Sequence, residues 1–244
     1  MKFGIIGDIH SNLESFIAVL NYFEKNKVDK IVIIGDIIGY GPNPIECINL
    51  AKENGQIILK GNHEEGILKN DFSKFKKYAR ISLEWTKKEI EEKIEEIKNW
   101  KEKEEYNDIV FFHASISDFF YKYIFKIEDA EEEFKLLDKK ICFIAHTHIP
   151  GGFKKNIKTG KIEKIFTDFS GKLNLKIEDD FKYIINVGSV GFPRDGFPFS
   201  CVSIYDTDIK EFKLERIEYN YETTIKKIIE KNLPSKICSF LKGF

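Results

Sequence analysis

Several things are scarce in this chain, and each scarcity removes a class of protein. Charge imbalance is missing: 39 Lys+Arg against 40 Asp+Glu leave a net charge of -1. Such balance offers no field for steering toward nucleic acid or an anionic membrane, so stable binding to either is not expected. The four cysteines, Cys47, Cys142, Cys201 and Cys238, are scattered and form no CxxC pair. That argues against a zinc knuckle or a disulfide framework and reads as reduced thiols in a cytoplasmic protein. No apolar run approaches the ~18 residues of a membrane span, and Phe3–Ile6 is too short for a signal-peptide core. No Gly-x-Ser-x-Gly elbow is present, so a serine-hydrolase reading has nothing to build on. Arginine is down to Arg80, Arg194 and Arg216, and methionine to one residue, while Lys, Ile, Glu and Phe abound. That bias suits a heat-adapted protein, although an AT-rich genome produces much of it as well.

What is there is a globular chain of 244 residues, 42% hydrophobic and 14% aromatic, enough for a sizeable core in a single domain spanning 1–244. Its first half alternates strand and helix. Residues 2–7, 30–35 and 56–60 read as buried strands. Between them, Leu13, Phe16, Ile17, Leu20 and Phe23 recur at helical spacing, and Asn43-Pro44 opens a second helix. Ser11 has capping-box spacing to Glu14. Such an order implies parallel strands with right-handed crossovers. Residues 73–105 read as mostly helical, a Lys/Glu-rich solvated face, with a lid over the site or a dimer contact as the alternative. Further strands are expected at 109–112 and 141–145, with a helix at 128–138. A β-meander then covers 151–157, 161–167, 172–177, 181–187, 200–206 and 211–217, and a helix covers 221–231.

Polar residues gather where the apolar runs stop: Asp8, His10, Asp36, Asn62, His63, His113, His146 and His148. Taken singly, each has an ordinary explanation as a cap, a turn or an interior histidine. Jointly they do not, because all five histidines of the chain stand at strand ends. In α/β sheets the loops after carboxyl ends of strands converge on one crevice. Imidazole and carboxylate suit Mn, Fe, Zn or Co better than Ca. So many ligands exceed the need of one ion and suit two that share a carboxylate, for which Asp36 is the candidate.

Gly7-Asp8-Ile9-His10, Gly35-Asp36, Gly61-Asn62-His63-Glu64, His113 and His146-Thr147-His148 resemble, in that order, the motifs of the calcineurin-like metallophosphoesterase superfamily. Gly39-Tyr40-Gly41-Pro42 and the stretch 186–196 resemble its small prokaryotic branch, so the likeness runs from residue 2 to about 206. The resemblance implies two packed mixed β-sheets flanked by helices, a four-layer α/β/β/α sandwich. It implies one divalent metal on Asp8, His10, Asp36 and His148, and a second on Asp36, Asn62, His113 and His146. Mn²⁺ is the first choice of ion, with Fe, Zn, Co or Ni as alternatives. A hydroxide bridging both ions would attack phosphorus in line, and His63 would protonate the leaving oxygen.

The expected function is therefore hydrolysis of small phosphodiesters or phosphomonoesters, a nucleotide being one such substrate. Alternatives are a dinucleoside-polyphosphate hydrolase using Arg194 and the 73–105 lysines, a Ser/Thr protein phosphatase, or a non-catalytic scaffold. The protein-phosphatase reading loses ground because the Asp36 loop lacks the Asp-Arg-Gly ending of those enzymes. Asn12, and Ala145 in place of a usual glycine, are the other departures. A scaffold would tend to lose ligands, and this chain retains the whole set. Arg194 sits in a Gly/Pro-rich loop where it either grips phosphate or ties to Asp195. Tyr40 is expected to pack beneath its loop rather than stack on a base. The oligomeric state is left open.

Overall fold

The computed structural model describes residues 1–243. Strand β1 (Lys2–Ile6) starts the first sheet, with Phe3 and Ile5 facing the second sheet and Ile6 facing the outer helices. A strand covered on both faces is apolar throughout, which is why this one shows no alternation. β2 (Lys30–Ile34) pairs parallel with β1, and β3 (Ile57–Leu59) parallel with β2. The crossovers are α1 (Leu13–Lys25) and α2 (Pro44–Asn54), which bury Phe16, Val19, Phe23, Ile48 and Ala51 on the outside of this sheet. α3 (Asn62–Lys69), α4 (Lys77–Glu89) and α5 (Ile94–Lys98) follow on the same side.

The second sheet takes β4 (Lys103–Tyr106), β5 (Ile109–Phe112), β6 (Ile141–Ile144), β7 (Gly151–Asn156) and β8 (Ile162–Ile165). α6 (Ile127–Leu136) covers its outer face. β9 (Leu173–Lys176) returns to the first sheet, β10 (Phe181–Asn186) to the second, and β11 (Ser200–Asp206) and β12 (Glu211–Ile217) to the first. The orders are β3-β2-β1-β11-β12-β9 and β4-β5-β6-β10-β7-β8, two six-stranded mixed sheets. Between them lies one apolar layer in which Phe3, Val32 and Phe212 meet Phe111, Phe143 and Tyr183. α7 (Tyr221–Glu230) and α8 (Lys236–Phe240) close the chain. No helix among the described residues is long and apolar enough to cross a membrane.

Four details differ from the sequence reading. The stretch 73–105 is not helical to its end: residues 103–106 form an edge strand antiparallel to β5, with alternate residues exposed. Lys-Glu-Glu-Tyr passes for an exposed helix face, yet charged side chains are also what a sheet edge carries. The expected meander is divided, since β9, β11 and β12 join one sheet and β7, β8 and β10 the other. The cap of α1 is Asn12, whose side chain accepts from the Ser15 amide at 3.2 Å, whereas Ser11 takes a left-handed φ of 56° and its hydroxyl has no partner. And α3 begins directly at Asn62-His63, a helix too short to show apolar periodicity.

Candidate metal centre

The first sheet delivers five of the eight polar residues and the second sheet three. Asp8 follows β1, Asp36 follows β2 and Asn62-His63 opens α3 after β3. From the second sheet His113 follows β5, and His146 and His148 follow β6. Backbone bonds knit these turns together: Asp8 N–H to Gly35 O at 3.1 Å, His10 N–H to Asp36 O at 2.9 Å, Ala145 N–H to His113 O at 2.9 Å. All eight polar residues named from the sequence are buried and come together.

The turns are strained in a consistent way. Asp8, His10, Asp36, His146 and His148 have φ of 52°, 49°, 53°, 64° and 61°. Non-glycine residues seldom take this left-handed region, at a cost of about 1–3 kcal/mol each, and such strain concentrates at functional sites. It reverses the chain sharply after each strand, so that the side chain turns into the crevice.

Asp36 is the meeting point. Its Oδ2 lies 3.6 Å from His10 Nε2, 3.4 Å from His113 Nε2 and 4.0 Å from His63 Nε2. On one side His10 Nε2 is 3.0 Å from His148 Nε2, which is 3.8 Å from Asp8 Oδ1. On the other, His113 Nε2 is 3.0 Å from Asn62 Oδ1 and 3.2 Å from His146 Nδ1. Each of these four histidines turns its other nitrogen to a backbone carbonyl: His10 to Ile38 at 3.1 Å, His113 to Ile34 at 2.9 Å, His148 to Phe192 at 2.6 Å, His146 to Tyr121 at 3.3 Å. A carbonyl only accepts, so those nitrogens carry a proton; the inward nitrogens of neutral His10, His146 and His148 present lone pairs, and that of His113 does so once its second proton, held by Asp36, is lost. His63 differs: its buried Nδ1 has no partner, leaving it outside this pattern.

The residues fit divalent metal. Both oxygens of Asp8 are fully buried and accept no hydrogen bond, an arrangement that a bound cation would satisfy. Asp8-His10-His148 and Asp36-His113-His146 each bring their donor atoms within 4.8 Å of one another, as does His10-Asp36-His63. Nitrogen and carboxylate donors without thiolate suit first-row transition metals.

Without a cation the charges are those of a strained cluster. Burial, opposed by His113 and aided by Asp36, raises the Asp8 carboxyl to about 8. Burial also pushes Asp36 upward, but His113 and His63 outweigh it and hold Asp36 well below the usual carboxylate range. Burial likewise disfavours charge on His113, yet Asp36 prevails and raises it to about 9. Burial keeps His10 and His148 well below the ordinary imidazole range, and takes His146 to about 3 and His63 to about 4.

Three residues with no role assigned from the sequence brace the cluster. The buried Glu64 carboxylate accepts four backbone N–H groups, from Asp36 at 2.9 Å, Ile37 at 2.8 Å, Ile38 at 3.1 Å and Gly61 at 2.7 Å. It thereby locks the Asp36 turn onto the start of α3. Asn186 donates to Ala145 O at 2.5 Å and Thr147 Oγ1 at 3.0 Å, fixing the turn between His146 and His148. Ser189 holds Asp8 O at 2.8 Å. The 186–196 stretch is therefore largely a brace.

Beside the cluster opens a cavity of about 350 Å³ lined by Asn62, His63, His146, Arg194, Lys74 and the rings of Tyr40, Phe75, Tyr78, Tyr121 and Tyr123, among others. Arg194 does not tie to Asp195, which pairs with Arg216 instead. Its guanidinium donates to the Tyr40 hydroxyl at 3.1 Å, and its Nε is buried without a partner. Tyr40 packs, as expected, with its ring 4.5 Å from His10 and 4.7 Å from His63. Of the 73–105 segment, Lys74, Phe75, Lys76, Tyr78 and Ala79 reach the cavity, whereas Lys87 and Lys93 bond to Asn70 and Asn49. The aromatic wall could not be read from the sequence, because the 75–78 and 121–123 rings are distant along the chain and carry no motif.

The model of the calcineurin-like phosphoesterase family matches residues 1–185. An uncharacterized protein of Methanocaldococcus jannaschii is 36% identical over 245 aligned residues, covering 94% of this chain and 93% of that one. The crystal structure of a metallophosphoesterase from Sphaerobacter thermophilus superposes with a TM-score of 0.85 at 28% identity, covering 100% of this chain and 99% of the other. A symmetrical bis(5'-nucleosyl)-tetraphosphatase of Psychromonas ingrahamii is 37% identical over 68 residues only, 26% of this chain and 24% of that enzyme. With the strand-end cluster and the two-sheet fold, these likenesses show that the chain belongs to the calcineurin-like phosphoesterase family and is a phosphoric ester hydrolase.

Proposed function

We propose that the chain is a two-metal phosphoesterase acting on a small phosphorylated substrate, diester or monoester. The observation that carries this reading is Asp36 Oδ2, set between His10 Nε2 at 3.6 Å and His113 Nε2 at 3.4 Å. One ion would be held by Asp8, His10, Asp36 and His148, the other by Asp36, Asn62, His113 and His146. When bound, such ions, Mn²⁺ foremost, neutralise phosphoryl oxygens and lower the pKa of water at the site.

The chain's own groups supply the rest. Water adds to phosphorus in line as the bond to the leaving oxygen breaks; the water's proton passes to solvent, and His63, protonated from solvent when the substrate anion is bound, delivers the proton that the leaving oxygen needs. His63 is neutral in the substrate-free protein, held to about 4 by burial, and an arriving phosphoryl anion favours its protonated form. The Asn62 amide and the Arg194 guanidinium line the same cavity and are in place to donate to phosphoryl oxygens. A cavity of about 350 Å³ suits a small molecule better than a folded protein substrate.

A dinucleoside-polyphosphate substrate is the second reading, favoured by the short match to the Psychromonas enzyme and by Lys74 and Lys76 beside Arg194. Symmetrical cleavage products would single it out. The general reading is tested with Mn²⁺-loaded protein and bis-p-nitrophenyl phosphate: turnover is expected, and His63→Ala should lower kcat by about 10²–10⁴. Metal-replete protein inert toward a panel of mono- and diesters would contradict it.

A further inference from the structure

Arg194 is held from a side that the metal-binding motifs do not supply. Its guanidinium carbon lies 5.9 Å from the Tyr40 ring centre and 5.6 Å from that of Phe240, the last residue of α8. Phe240 leans on Tyr78 of α4 with ring centres 5.9 Å apart, and Tyr78 stacks on Tyr40 at 6.0 Å. The four side chains thus close a circuit: Arg194, Tyr40, Tyr78, Phe240 and back to Arg194.

That circuit is firmly anchored. Ile237 and Leu241, on either side of Phe240, are fully buried against a cluster that includes Ile228, Leu233 and Phe192. α7 and Tyr219 just before it are bonded in turn to the starts of α1 and α2, which follow the His10 and Asp36 turns. Asn12 donates to the Tyr219 hydroxyl at 3.0 Å and accepts from Thr224 at 3.1 Å, while Lys227 pairs with Glu14 and donates to Asn43 at 3.2 Å. Among the described residues no carboxylate pairs with Arg194. A long, half-buried cation held between two aromatic rings and the Tyr40 hydroxyl, with no paired carboxylate, is ready for an anion from the cavity.

We propose that Phe240 is a positioning residue of the catalytic site. It presses the Arg194 guanidinium toward Tyr40 and keeps it turned into the cavity where the substrate phosphoryl group binds. The Asp36 loop has no arginine of its own. The C-terminal helix supports one brought in by the loop between β10 and β11, in a part of the chain beyond the residues matched by the family model. This rests on Arg194 being a phosphoryl contact, as proposed above.

The test is steady-state kinetics of the metal-loaded full chain on bis-p-nitrophenyl phosphate, with inorganic phosphate as competitive inhibitor. Phe240→Leu preserves apolar bulk but removes the ring face. It should raise KM and the phosphate inhibition constant about fivefold, with kcat within about twofold and the melting temperature close to the parent's. Phe240→Tyr should restore both constants. Arg194→Ala should raise them further, and adding Phe240→Leu to it should change nothing more, because the two act as one unit. Unchanged constants in Phe240→Leu, or effects that simply add in the double variant, would overturn the proposal while leaving Arg194 as a phosphate contact. Unchanged constants in Arg194→Ala would overturn that contact and the positioning role with it.

Discussion

His113 Nε2 stands 3.4 Å from Asp36 Oδ2, a contact that joins the second sheet to the first at the ends of β5 and β2. The pair is fully buried, and in the metal-free protein each partner sustains the other's charge.

Metal binding should release protons. At pH 7 the metal-free protein keeps a proton on His113, raised to about 9, and on Asp8, raised to about 8. Ligating groups must give them up, whereas the lowered His10, His146 and His148 have none to lose. Affinity should therefore rise with pH up to about 9. Calorimetry in buffers of different ionisation enthalpy should register release of roughly one to two protons per protein near pH 7. An enthalpy independent of buffer would contradict the charge assignment.

Gly39→Ala should impair turnover without emptying the site. Gly39 has φ of 87°, and an added Cβ would fall onto the His63 ring at Nδ1. Displacing that ring by even ~1 Å should lower kcat about 10²-fold. Metal content, measured by elemental analysis, should stay at the parent's value because His63 is not among the proposed ligands.

Glu64→Gln should weaken the fold and the site together. Four backbone N–H groups converge on this carboxylate, and an amide offers one oxygen plus an NH₂ that faces donors. The loss should be about 2–4 kcal/mol, visible as a lower midpoint in chemical denaturation. A midpoint equal to the parent's would show that Glu64 does not brace the Asp36 turn.

The polar cluster was legible in the sequence because its residues sit at strand ends, where an apolar run stops and Asp or His begins. Parallel pairing of β1, β2 and β3 was legible for the same reason, as short apolar runs separated by helix-spaced ones. Other features depend on contacts between distant residues. The left-handed backbone at Asp8 and His148 is imposed by tertiary packing and leaves no mark on composition. Glu64 is one more carboxylate of a motif in the sequence, because the four amides that point at it come from two separate turns. The β4 strand was hidden by its charges, and Arg194's freedom from Asp195 depends on Arg216, which lies on a different strand.

The central claim is that Asp36 is shared by two metal ions, and the direct measurement is metal stoichiometry in single-carboxylate variants. Reconstituted wild-type protein should hold about two transition-metal ions per chain. Asp8→Asn should keep about one, losing only the ion on the His10–His148 side. Asp36→Asn should fall below about one, since both ions lose a ligand. If Asp36→Asn retains the wild-type stoichiometry at comparable affinity, Asp36 is not shared by the two ions and the central claim fails.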